Sequence, residues 1–138
     1  MADLSQTAAN VAFNDADVKY RLVQFGEAVT QGMPVYRKAA DGKYWKAQND
    51  GTAAESDVVG ICMVRGAAAD SWGIIATEGN INIGATLAVG ETYCVSNAYG
   101  AICPVADVGS TEFPCILGPA TTTSNLKLKP SAAGVAKA

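Results

Sequence analysis

"GEAVTQG", residues 26–32, and "GATLAVG", residues 84–90, share one spacing: two glycines six positions apart with a branched apolar residue, Val29 or Leu87, midway between them. The two stretches lie 58 positions apart, and the offset extends well beyond them. Gly26, Gly32, Gly42, Gly51 and Gly60 recur as Gly84, Gly90, Gly100, Gly109 and Gly118. Apolar positions move in step: Val23 and Phe25 with Ile81 and Ile83, Val35 with Tyr93, Tyr44 with Ile102, Val58 and Val59 with Ile116 and Leu117. Such a recurrence reads as an internal duplication of one supersecondary unit. The polar chemistry does not recur, since Glu27 corresponds to Ala85, Asp41 to Tyr99, Lys46 to Pro104 and Asp57 to Cys115. Turns and core are kept and ligand-binding groups are not. Gly26, Gly32, Gly42, Gly60, Gly84, Gly90, Gly100 and Gly118 are therefore expected as structural turns, not as a cradle for a ligand.

Each half reads as short strands between turn signals. "KYRLVQF" precedes the first glycine; "MPVYR" and "KYWKA" flank Asp41–Gly42, the signal of a two-residue type I′ hairpin; "DVVGICMV" and "WGIIA" follow. The second half supplies "NINI", "ETYCVS", "AICPV", "FPCIL" and "LKLK", of which "NINI" and "LKLK" alternate with period two. No longer segment keeps a helical period. The expectation is an all-β domain, a small barrel or sandwich over residues 19–129 with halves 19–76 and 77–129. In it Tyr36 and Trp45 would neighbour one another across the first hairpin, and Cys94 could face Cys103 across the second. Residues 1–18 and 130–138 ("PSAAGVAKA") are poor in large apolar side chains and are expected as an extended N-terminal arm and a C-terminal tail.

Composition narrows the function. The chain has 138 residues, 49% hydrophobic and 17% charged, with a net charge of −3. Its ten Lys and Arg are scattered, so no nucleic-acid-binding face is expected. No apolar run approaches the ~20 residues of a membrane span, and the first residues lack a signal-peptide pattern, which points to synthesis and folding in a cytoplasm. Cys62, Cys94, Cys103 and Cys115 form no C-x-x-C pair and the chain has no histidine, so buried thiols are expected and a metal site is not. The absence of histidine also removes the usual nucleophile–base arrangements. "SNLK", residues 124–127, has the S-x-x-K spacing but stands beside a strand pattern, and no phosphate-binding glycine loop is present. Neither an enzyme nor a cofactor is expected. A carrier barrel modified on Lys43, beside the turn at Asp41–Gly42, is a weaker reading of the paired halves.

The stretches "GEAVTQGMPVYRKAADGKYWKA", "VVGICM", "NINIGATLAVGETYCVSNAYGAICPVAD" and "CILGPATTTSNLKL" together resemble the capsid decoration proteins of tailed phages, also called cement or head-fibre proteins. The resemblance covers about residues 19–129. It implies a tulip-like or barrel β domain on the outer surface of the virion's icosahedral head, bound at symmetry axes of the major capsid protein, usually as a homotrimer. It also implies an N-terminal arm lying on neighbouring capsid subunits, for which Leu4, Val11 and Phe13 are the available anchors. The three cysteines of the second half depart from the pattern associated with the family. The alternative is a virion-displayed module for host-surface carbohydrate, with Trp45 and Trp72 as candidate stacking residues.

Overall fold

The computed structural model describes residues 3–66 and 68–138. It is nearly all β, with two antiparallel sheets packed as a sandwich. Among the described residues the strands are β1 (Val11–Phe13), β2 (Lys19–Gln24), β3 (Pro34–Arg37), β4 (Tyr44–Lys46), β5 (Gly60–Val64), β6 (Trp72–Ile83), β7 (Thr92–Val95), β8 (Ile102–Pro104), β9 (Cys115–Pro119), β10 (Asn125–Leu128) and β11 (Ser131–Ala132). The larger sheet runs β1-β6-β5-β3-β4, with β2 and β10 also paired to β6; the smaller runs β11-β9-β7-β8.

The pairing repeats where the sequence repeats. In β3–β4, Val35, Tyr36 and Arg37 oppose Lys46, Trp45 and Tyr44; in β7–β8, Tyr93, Cys94 and Val95 oppose Pro104, Cys103 and Ile102. Every one of these positions is displaced by 58. The same holds for Pro34–Ile61 and Val35–Gly60 against Thr92–Pro119 and Tyr93–Gly118. "WGIIA" and "NINI", expected as separate strands, form the single twelve-residue strand β6. The boundary drawn at 76/77 thus falls inside a strand. Residues 72–78 pair with β2 in the first half and residues 79–82 with β10 in the second.

Three apolar clusters hold the layers. The largest lies between the sheets and includes Ile61, Ile81, Tyr93, Leu117 and Leu126. Val23, Phe25, Val35, Tyr44 and Ile75 fill the curl of the first half, where Phe25 bridges to Tyr44 and the Gly26 N–H reaches the Tyr44 carbonyl at 2.9 Å. Burial of a side chain such as Phe25 contributes roughly 1.5–3 kcal/mol. Cys94 and Cys103 pack with Val108 as the third cluster.

Three expectations change. The first hairpin is not a two-residue turn: Lys38 N–H bonds the Lys43 carbonyl, leaving residues 39–42 as a four-residue loop. A type I′ turn needs two positive φ values, and here Gly42 has one (φ 71°) while Asp41 does not. Asp41 instead accepts the Lys43 N–H on its carboxylate. The N-terminal segment, from Asp3 on, does not project from the body. β1 pairs with β6, Leu4 N–H bonds the Ile102 carbonyl at 2.8 Å, and Gln6 donates to the carbonyls of Gly32 and Ile83. The physical reason is visible at Ile102, the counterpart of Tyr44. The first half satisfies that carbonyl from its own Gly26, and the second half satisfies it from Leu4. The tail is docked as well, through β11 on β9 and Lys137 hydrogen bonds to Thr111, Glu112 and Val108.

Candidate functional site

The most chemically varied hollow opens beside the first hairpin. It has a volume of about 280 Å³ and is lined by aromatic and charged side chains of both signs. Tyr36 comes from β3, Trp45 and Lys46 from β4, Lys38 from the loop between them and Glu27 from the glycine-bounded turn after β2. Glu55 comes from a single helical turn, α1 (Ala53–Ser56), and Tyr99 from the tip of the β7–β8 hairpin.

Each wall is fixed by its own contacts. Glu27 accepts the Lys46 backbone N–H at 3.0 Å and pairs with its ammonium at 3.6 Å. Glu55 closes a capping box with Thr52 and accepts the Tyr99 hydroxyl at 2.8 Å. Trp45 is held on two sides. The Lys38 ammonium stands 4.5 Å from its ring centroid, and its indole N–H donates to Asp41 at 3.2 Å. Gly26 allows this packing, because a Cβ there would collide with the indole. The tip carrying Tyr99 is held by Gly100 N–H to the Ala47 carbonyl at 2.8 Å and by Asn49 between the halves. Asn49 is fully buried, with backbone bonds to Ser96 and Phe113 and an amide bond to the Val95 carbonyl at 2.9 Å.

Both phenols titrate above their ordinary range. Desolvation is the main cause at Tyr36, reinforced by Glu55, Glu27 and Asp41; at Tyr99 the main cause is its hydrogen bond to Glu55. Asp41 is held low, chiefly by the Lys43 N–H it accepts. Near neutral pH both phenols of the cleft are therefore neutral and keep their hydroxyl protons. The cleft can bind and orient a ligand.

A second hollow, about 370 Å³, lies between the N-terminal segment and β6–β10 and is lined by small polar residues including Ser5, Thr7, Asn10, Asn82 and Ser124. Among the described residues no ionisable side chain lines it. Ser124 precedes β10, and Lys127 lies within it.

A separate surface is apolar. On the outer face of the larger sheet, Tyr20 and Leu22 of β2 lie two apart; Leu22 opposes Ile74 of β6, which opposes Val64 of β5. Trp72 lies two residues from Ile74, and Phe13 meets Tyr20 edge to face at 5.8 Å. Exposure is 67% for Tyr20, 65% for Leu22, 60% for Trp72 and 42% for Phe13.

The residues singled out from the sequence distribute accordingly. Leu4 and Val11 pack against the chain's own central core, while Phe13 belongs to the outer apolar face. Gly32, Gly42, Gly84, Gly90 and Gly100 stand at turns or bends with positive φ, and Gly26 stands at a bend against Trp45; Gly60 and Gly118, expected as turns, lie instead inside β5 and β9, where the Ala76 and Lys127 carbonyls leave no room for a Cβ. Tyr36 and Trp45 are cross-strand neighbours as expected, the second hairpin adopts the one register in which Cys94 faces Cys103, and all four thiols are buried and free. The two tryptophans lie in different environments, Trp45 in the cleft and Trp72 on the outer face. Lys43 is engaged with Asp70. Glu27, Lys38, Glu55 and Tyr99 were not anticipated as site residues. Thr52–Glu55 was readable as a capping box, but nothing in the order of residues links it to Tyr99. Comparison with protein-family models and with curated proteins found no match.

Proposed function

We propose that this chain is a structural virion protein that decorates and stabilises the outside of a tailed-phage capsid, as a homotrimer bound between major capsid subunits. The observation that supports this reading is the outer apolar face, where Tyr20, Leu22, Trp72 and Phe13 share one side of the sheet and stay exposed among the described residues. Contiguous exposed apolar side chains of this kind fit a protein partner. Because Leu4 and Val11 serve the chain's own core, the capsid contact is assigned to this face, with Phe13 at its edge, and not to a free arm. A protein that engages the assembled lattice stabilises it by mass action, by about 2.7 kcal/mol per site at a free concentration one hundred times Kd.

The test is co-sedimentation with expanded, decoration-free capsids beside fully decorated ones. Saturable binding to bare shells alone is expected, and Leu22→Asp should abolish it while the variant keeps its unfolding midpoint. Binding to no shell, or undiminished binding by Leu22→Asp, would overturn the reading. A second reading, a virion-displayed module for host-surface carbohydrate, is favoured by one observation: Trp45 and two tyrosines share a cleft with carboxylates and ammonium groups.

A further inference from the structure

The lining of the cleft sets two carboxylate side chains beside two lysines. Glu27 and Glu55 oppose Lys38 and Lys46 in formal charge, so a net charge on a ligand would gain from one pair and lose to the other. A hydroxyl gains from both, because it donates to a carboxylate and accepts from an ammonium. These groups are already oriented: Glu27 by Lys46, Glu55 by its capping box and Tyr99, and Lys38 by the face of Trp45. Preorganisation lowers the ordering cost of binding. Tyr99, 53% exposed, offers a ring on which the C–H face of a saturated ring can lie. The volume, about 280 Å³, matches the lower end of small-ligand sites.

The corresponding place in the second half carries none of this. Position for position, Glu27, Tyr36, Lys38, Trp45, Lys46 and Glu55 become Ala85, Cys94, Ser96, Cys103, Pro104 and Phe113. There the Ser96 hydroxyl is bonded to Asp3, and Val108 packs on the two thiols. The half whose hairpin is left open is the half that holds the polar and aromatic set.

We propose that the cleft binds a neutral hexopyranose, one residue of a glycan, with its hydroxyls shared between the carboxylates and ammonium groups and its apolar face on Tyr99. This rests on the second reading above and uses a surface apart from the apolar face assigned to capsid binding.

The test is saturation-transfer NMR with a tryptophan-fluorescence titration, using the methyl glycosides of glucose, galactose, mannose and N-acetylglucosamine as probes. At least one should saturate the intact protein. Tyr99→Ala should weaken that probe by about tenfold or more, as expected for loss of an aromatic anchor. Tyr99→Phe should keep most of the affinity, and Trp72→Ala should leave it unchanged. Failure of every glycoside to saturate, or undiminished binding by Tyr99→Ala with its unfolding midpoint intact, would overturn the proposal. So would a loss on Trp72→Ala equal to that on Tyr99→Ala. Co-sedimentation of Tyr99→Ala with bare capsids separates the two readings, since capsid binding should survive the substitution.

Discussion

The β3–β4 and β7–β8 hairpins share a register and differ in what lies against them. Tyr36 and Trp45 face one another in the first, at the mouth of a cleft; Cys94 and Cys103 face one another in the second, fully enclosed. The backbone route is the same, including the four-residue loops closed by Lys38–Lys43 and Ser96–Ala101. The chain ends make the difference. Asp3 and Leu4 bond to Ser96 and Ile102, and Lys137 bonds to Val108 beside the thiols. One hairpin is covered and has been reduced to small packing residues. Its counterpart is open and carries large amphipathic ones. Repeated backbone geometry leaves side-chain chemistry free to follow exposure.

The comparison breaks most directly by exchanging residues at the shared register. Cys103→Trp should cost ~3 kcal/mol or more, because an enclosed site cannot take the added volume, whereas Trp45→Cys should cost about 1–2 kcal/mol at a half-open one. Urea midpoints measure both, and equal costs would mean that the two environments are alike. Asn49→Leu should come next, at ~2 kcal/mol, since it removes the amide that satisfies the buried Val95 carbonyl. Equilibrium unfolding that stays unchanged would remove the Asn49 side chain as a tie between the halves, since its backbone bonds to Ser96 and Phe113 persist in the variant.

The thiols sharpen the comparison further. Burial pushes Cys62 and Cys94 up to about 12 and Cys103 and Cys115 up to about 11, from 9.0. At pH 8 the native protein should resist a thiol-specific disulfide reagent, and removal of residues 1–7 should expose Cys94 and Cys103 to it while Cys62 stays protected. The same shifts set the sign of the alkaline response. Above pH 9 the unfolded chain releases thiol protons that the folded chain keeps, so stability falls as pH rises from about 9 towards 12. Thermal melts across that range should decline less steeply for Cys62→Ala than for the intact protein. The smallest effect is expected at Lys19, whose ion pair with Glu78 spans 2.9 Å at 73% and 40% exposure. Lys19→Met should leave the urea midpoint unchanged and should not discriminate between the halves.

Much of the fold was legible because local patterns dictated it. Alternation and turn residues located β2, β3, β4, β7, β8 and β10, and the offset of 58 runs through the pairing of both hairpins, although their register was set by four-residue loops that the turn signal did not show. The uninterrupted path of β6 was hidden by Glu78–Gly79, which falls between the patterns "WGIIA" and "NINI" yet is spanned by pairing with β2 on one side of it and β10 on the other. The docking of the termini was illegible for a different reason. Leu4, Gln6 and Lys137 bind through backbone groups or single polar atoms, which leave no periodic trace in the sequence. The cleft followed the same rule. Its Tyr99 arrives from 44 residues beyond Glu55, on a hairpin whose tip is placed by Gly100 and Ala47.

The continuity of β6 has a mechanical consequence. Twelve residues of extended chain span about 40 Å. This strand pairs with β2 and β5 in the first half and with β10 in the second, so tension between one end of the molecule and the other is borne along covalent bonds. The halves are joined by a spine where a hinge would otherwise stand.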